Sequence, residues 1–339
     1  MKNLTSLFNF KNKKFNFQEV DIPRMKSSDV LIEVKASALC GTDLHVMDGD
    51  LIDKAYDKKN ITLGHEWAGV ITKKGTGVKN FEIGDKVFGT PHISCGKCKK
   101  CKEGKDNHCE KQGIFGLSFP GSHAKFLIAP KTTVIKMPSE MNFVLGSLLG
   151  DTVSTAYHAF NRARISQNDK ILILGVGPVG LTIGLILKLK KVKNIFVLEN
   201  ENYRFSLAKK LFNAKRITKD NFLKNRRTFN FVFETTGSKD ALELGFQALE
   251  RGGGLILIGV HSEKYSLDTL RMMYREISIK GCFGYTHKEA EEFIKLSRNK
   301  FLQKDLKTII THEIPLEEIE SAYKIFRSKK SGKVVLVCE

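Results

Sequence analysis

Apolar residues are distributed along the chain in two textures. Up to about residue 147 they come in short runs broken by glycine: VLIEVKA (30–36), WAGVITKKG (67–75), DKVFGT (85–90) and AKFLIAP (124–130). Runs of this length, bounded by turn residues, predict a compact, mostly β domain. From 148 to 286, apolar strands alternate with amphipathic helical stretches. The strands read ILILG (171–175), NIFVLE (194–199), FNFVFET (229–235), GLILIG (254–259) and ISIKGCF (277–283). Strands that alternate with helices need crossover connections, which predicts a doubly wound parallel sheet. The tail has helical patterning around Glu289–Ser297 and Leu316–Arg327 and ends in a strand, KVVLVC (333–338), expected to rejoin the first domain. The predicted fold class is therefore α/β. It has one domain formed by 1–147 with 287–339 and a second formed by 148–286.

Composition narrows the function classes. A chain of 339 residues accommodates two cores, and 41% hydrophobic with 27% charged residues fits a globular protein. The longest apolar run, Val179–Leu187, is about half of what spans a bilayer, so no membrane partner is expected. The first seventeen residues have no sustained apolar core or small-residue cleavage site, which predicts no signal peptide and a cytoplasmic location. The net charge of +19 comes mostly from lysines spread along the whole chain. Without a basic tail, an Arg-rich stripe or aromatic-basic interleaving, this reads as a solvated surface rather than a specific nucleic-acid site.

Two motifs carry chemistry. Gly175-Val176-Gly177-Pro178-Val179-Gly180 is GxGxxG directly after one predicted strand and before a helix. In that context Gly175 permits the tight turn, Gly177 lets backbone N–H groups approach a pyrophosphate, and Gly180 lets helix and strand pack closely. The helix N-terminus adds partial positive charge. Glu199 ends the next strand, about twenty residues on, where an acid can hold the adenosine ribose diol. A carboxylate there repels a 2′-phosphate and predicts NAD over NADP, although Arg204 nearby could accommodate one. This is the dinucleotide-binding, Rossmann type of sheet. The second motif is CGKCKKCKEGKDNHC, where Cys95, Cys98, Cys101 and Cys109 can close a tetrahedral shell around one structural Zn²⁺. His108 precedes Cys109 and reads as a bystander.

A further constellation combines Cys40, in Leu39-Cys40-Gly41-Thr42-Asp43-Leu44-His45, with His65 in Leu63-Gly64-His65-Glu66. One thiol and one imidazole are zinc-ligand types, but alone they read more readily as core residues. Together with GDKV (84–87), the four-cysteine lobe and GVGPVG, in that order, they make the chain resemble the zinc-dependent medium-chain alcohol and polyol dehydrogenases over essentially its whole length. The resemblance implies a GroES-like catalytic domain that carries the structural zinc lobe, and a second, catalytic zinc. Its third ligand falls on Asp151, where the familiar alcohol dehydrogenases place a cysteine. Aspartate there is similar to bacterial secondary-alcohol, formaldehyde and threonine dehydrogenases. The implied reaction is reversible oxidation of an alcohol to a carbonyl with hydride transfer to NAD. Thr42 and His45 are implied to relay the proton, Glu66 to neighbour the zinc, Asp43 to orient a metal ligand, and Thr155 and Val260 to contact the cofactor. Pairing of edge strands near Ile277–Phe283 is implied to give a homodimer or homotetramer. Two other readings compete: a basic zinc-lobed nucleic-acid-binding protein, which has no need of an open metal site, and a zinc-free quinone or enoyl reductase, which lacks both cysteine lobe and triad. The substrate is not specified, and His123 has no account at this level.

Overall fold

The computed structural model describes residues 2–218 and 221–338. Its first sheet has seven strands in the order Val134–Lys136, Lys86–Gly89, Glu66–Lys74, Asp29–Ala38, Lys333–Val337 and Ile310–Pro315, with Phe126–Pro130 also paired to Asp29–Ala38. The C-terminal strand lies antiparallel against Asp29–Ala38, Val335 opposite Ala38. It thereby returns the tail to the N-terminal β structure. A hairpin of Lys2–Asn9 and Lys14–Asp21 joins Asn60–Ile61 in a small separate sheet. Trp67, Phe88, Ile32 and Val34 are fully or almost fully buried in the seven-stranded region.

The second sheet has six parallel strands in the order Lys215–Ile217, Asn194–Leu198, Lys170–Leu174, Phe229–Glu234, Leu249–Leu257 and Ser278–Gly281. Ile171, Leu172, Ile173 and Leu174 are all fully buried, as expected for a central strand covered by helices on both faces. Three features depart from the sequence reading. Lys215–Ile217 forms an edge strand too short and too basic to show as an apolar run. Leu249–Leu257 begins earlier than its apolar part because the chain turns through Gly252, at φ +75°, with an irregular register beside Phe229–Phe231. Lys300–Ile309 is a helix that its charges disguise, and it buries Leu302, Leu306 and Ile309 at a spacing close to the helical period.

The turn after Lys170–Leu174 brings helix Pro178–Leu189 hard against the sheet. Pro178 sits in its first turn, where a missing N–H costs no intrahelical bond. Gly175 has φ +81°, a conformation that favours glycine. A Cβ on Gly180 would lie 2.2 Å from the Gly175 carbonyl oxygen, so only glycine allows this approach.

Candidate active site

Three separate elements deliver the ligand candidates. Cys40 occupies the N-cap of helix Gly41–Asp48, His65 directly precedes strand Glu66–Lys74, and Asp151 precedes helix Thr152–Ala163. Cys40 Sγ and His65 Nε2 each lie 3.6 Å from Asp151 Oδ2. Tetrahedral zinc, with bonds of about 2.0–2.3 Å, sets ligand–ligand edges of roughly 3.3–3.8 Å, so this donor set fits the ion. Glu66 offers a fourth donor atom within 4.8 Å of the others.

Asp43 holds two of these ligands at once. One of its carboxylate oxygens accepts the Cys40 backbone N–H at 2.9 Å, and the other lies 3.3 Å from His65 Nδ1. A carboxylate on Nδ1 keeps the proton there and leaves Nε2 free to ligate. Burial pushes the Asp43 carboxyl up, but His65 beside it brings it below the ordinary carboxylate range. Asp151 is half-buried, which pushes its carboxyl up, yet its contact with His65 and a 2.7 Å hydrogen bond from the Thr155 hydroxyl hold it well below that range. Burial raises the Cys40 thiol. His65 is raised well above an ordinary imidazole, because Asp43 and Cys40 outweigh its burial. A cation at this point would substitute for the protons these groups otherwise share.

Glu66 is fully buried and already engaged. Lys333 Nζ donates to its Oε1 at 2.5 Å and to Thr152 Oγ1 at 2.8 Å, and the Thr152 hydroxyl donates back to Glu66 at 2.9 Å. Burial lifts the Glu66 carboxyl to about 7, with Lys333 opposing the rise. Thr42 and His45 share the helix that Cys40 caps. Thr42 Oγ1 lies 3.8 Å from Cys40 Sγ, and His45 Nδ1 pairs with Asp50 at 2.7 Å near the surface.

The four lobe cysteines cluster as their spacing predicts. Sγ separations are 3.5 Å for Cys98–Cys101, 4.0 Å for Cys95–Cys101 and 4.0 Å for Cys98–Cys109. These are the edges of a tetrahedron around zinc, about 3.8 Å for four thiolates. Backbone N–H groups of Lys97 and Cys98 pull the Cys95 thiol to about 6, whereas burial and its sulfur neighbours push Cys101 up to about 12. As thiolates, four sulfurs at this spacing would need a cation between them. His108 is exposed and stands outside the group. The lobe docks through Asn107, whose side chain donates to the Phe283 carbonyl at 3.1 Å.

At the glycine loop, Glu199 accepts the backbone N–H groups of Val176 and Glu201, each at 2.9 Å. Its carboxylate is thereby fixed beside the turn. A Cβ on Gly177 would meet nothing nearer than Arg204 Nη1 at 3.7 Å, so the space over this residue is open to a ligand. Arg204 also donates to the Ser331 carbonyl at 3.0 Å. Val260 lies opposite Gly237, where an added Cβ would touch the Val260 carbonyl oxygen at 2.1 Å.

Three features escaped the sequence reading. Buried Glu234 accepts from Thr236 N at 2.7 Å and pairs with His261 at 2.9 Å, bracing the loop that carries Val260. Its signal was an acid closing an otherwise apolar strand. His123 is fully buried, its Nδ1 2.9 Å from Ser37 Oγ and its Nε2 2.9 Å from the Tyr323 hydroxyl, and burial lowers it to about 4. It is a neutral core histidine that ties Tyr323 to the sheet. His92 has two buried ring nitrogens without a partner among the described residues, and burial lowers it to about 4, with Asp151 and His65 as its charged neighbours.

The chain matches two family models and is similar to several known proteins over nearly its whole length. Residues 26–139 match the family model described as the alcohol dehydrogenase GroES-like domain, and residues 178–299 match the zinc-binding dehydrogenase model. L-threonine 3-dehydrogenase of Proteus mirabilis is 29% identical over 326 residues, which is 94% of either chain. The alcohol dehydrogenase of Thermus sp. ATN1 superposes with a TM-score of 0.89 at 25% identity, covering 100% of both chains. Galactitol-1-phosphate dehydrogenase of Escherichia coli shares the fold, with a TM-score of 0.87 at 24% identity over 99% of this chain and 100% of that one.

Proposed function

The chain belongs to the zinc-dependent medium-chain dehydrogenase/reductase family, and on that premise we propose that it is a zinc-containing, NAD-dependent dehydrogenase. It reversibly oxidises the hydroxyl of a small secondary alcohol, polyol or related compound to a carbonyl. The observation that carries this reading is the convergence of Cys40, His65 and Asp151 while Glu66 is bound to Lys333 and Thr152. Three ligands and a free fourth position are what a catalytic zinc needs, and the lobe cysteines supply the closed shell of a structural one.

When bound, zinc supplies Lewis acidity at the substrate oxygen and the dinucleotide supplies the hydride acceptor. The chain's own residues do the rest. Asp43 orients His65 and the backbone of Cys40. The Thr42 hydroxyl takes the substrate proton, and His45, paired with Asp50, exchanges it with solvent. Gly175, Gly177 and Gly180 shape the pyrophosphate turn, Pro178 and Val179 open its helix, and Arg204 adds positive charge beside Gly177. Glu199 holds the ribose diol and disfavours NADP. Val260 lines the cofactor. Thr155 reaches the nicotinamide while its hydroxyl steadies Asp151.

Strand Ser278–Gly281 pairs on one side only among the described residues, with Leu249–Leu257. Met273 is exposed in the helix just before it and Phe283 just after it. An open edge next to apolar surface supports assembly as a homodimer or homotetramer. Seven free cysteines, six of them in or adjoining metal sites or buried, support a cytoplasmic location. No helix is long and apolar enough to cross a membrane. The partner is a small molecule, with no specific nucleic acid.

A second reading, oxidation of a hydroxy amino acid, is favoured by His92, whose buried unpartnered nitrogens could bind a polar group beside the metal site. The deciding experiment is NAD-coupled turnover on primary and secondary alcohols, polyols and threonine, before and after chelation, with metal analysis. About two zinc ions per chain and chelator-sensitive turnover are expected. Full turnover by metal-free protein would sink the proposal.

A further inference from the structure

Four arginines from three separate segments meet at the opposite end of the parallel sheet from the glycine loop. Arg227 precedes strand Phe229–Glu234, Arg251 lies in the early turn of Leu249–Leu257, and Arg271 and Arg275 belong to helix Thr269–Arg275. With Asp268 and Tyr274 they line a cavity of about 590 Å³, within the size range of small-molecule sites. None of the four guanidiniums has an acidic partner within ion-pair distance among the described residues. Asp268, the one carboxylate lining the cavity, accepts the Arg271 backbone N–H at 2.9 Å as the helix cap.

Arg275 is only 9% exposed. One of its terminal nitrogens donates to the Leu249 carbonyl, and the other, Nη1, is buried without a partner. Arg271 stacks over Phe246 at 5.1 Å, and its Nε and Nη2 are buried and unpartnered too. Burial, together with repulsion from Arg271, Arg227 and Arg251, depresses the Arg275 guanidinium. Arg227 holds a left-handed backbone, φ +60°, which is uncommon for a residue with a side chain. Buried, unpartnered donors on like-charged groups cost free energy that an anion would recover. Four guanidiniums against one carboxylate leave a net +3, and planar forks match phosphate oxygens two at a time.

We propose that this cavity binds a compact di- or polyphosphate anion, either a free one or the phosphate tail of a nucleotide. The site is separate from the cofactor loop, which lies past the opposite ends of the strands. The test is calorimetric titration of the full-length, zinc-loaded protein with sodium pyrophosphate, and separately with ATP, at constant ionic strength and with saturating NAD. Binding of about one ion per chain is expected, at least tenfold weaker in each of the exposed-site variants Arg227→Ala and Arg251→Ala. ATP binding as tightly as pyrophosphate identifies the phosphates as the whole determinant, and tighter ATP binding identifies a nucleotide. Equal binding by wild type and both variants would place the anion elsewhere and overturn the proposal. So would no pyrophosphate binding by the wild-type protein; a change of oligomeric mass in the variants would then mean that a second copy supplies the anionic partners.

Discussion

The Glu289 carboxylate fastens helix His287–Ser297 to helix Thr152–Ala163. It caps helix His287–Ser297 through the Thr286 backbone N–H at 2.9 Å and hydroxyl at 3.0 Å. It also takes His158 Nδ1 at 2.9 Å and Asn161 at 3.2 Å from helix Thr152–Ala163. Burial works against the charge, but His158 and the Thr286 N–H hold the carboxyl at about 2. The side chain is 15% exposed, so solvent screens this little. A depression of roughly 2.5 pH units at about 1.4 kcal/mol each gives about 3.5 kcal/mol, which the remaining solvent exposure trims to about 3 kcal/mol. Because the folded value is lowered, that stability is complete above the unfolded value near 4.5 and is lost as the pH falls towards 2. Glu289→Gln keeps the shape and removes the charge. Urea unfolding at pH 7 should therefore show the variant about 3 kcal/mol less stable, with the gap shrinking to about 1.4 kcal/mol at pH 3. A gap below about 1 kcal/mol at pH 7, or one that does not change with pH, would refute the assignment of this carboxylate as the charged clamp.

Three further outcomes follow from the geometry. Gly177→Ala finds open space, so apo stability should stay within about 0.5 kcal/mol while NAD affinity, read by fluorescence titration, falls at least about tenfold. Gly175→Ala combines φ +81° with a contact of 2.5 Å to Thr236, so it should cost about 1–3 kcal/mol in unfolding even without cofactor. Lys333→Met strips the partner from fully buried Glu66 and should cost about 3–5 kcal/mol, most of it recovered by adding Glu66→Gln; no recovery in the double variant would show that the pair is not coupled.

Much of the site is local and was legible for that reason. Turn chemistry and short spacing determine where the cysteines of 95–109 come together and how the GVGPVG turn is built. Within them each functional residue lies only two to eight positions along the chain from the next. The α/β alternation likewise follows from apolar periodicity, because buried parallel strands must be apolar along their length. The strand Lys215–Ile217 and the helix Lys300–Ile309 were lost for the same reason in reverse: a short or heavily charged element carries too weak a period to register.

What only the tertiary structure decided is which distant groups meet. Lys333 reaches Glu66 across 267 residues and His123 reaches Tyr323 across 200, pairings set by strand order rather than by any local pattern. Asp43 could be named as an orienting acid from its motif. That it holds the Cys40 backbone and the His65 ring together depends on how helix Gly41–Asp48 lies against the loop before Glu66. The sequence shows no Arg-rich stripe, yet Arg227, Arg251, Arg271 and Arg275 face one cavity because the turns and the helix that bear them emerge at the same end of the parallel sheet. Local chemistry is written in adjacent residues, whereas charge concentration and buried pairing arise only when the topology brings remote segments to one place.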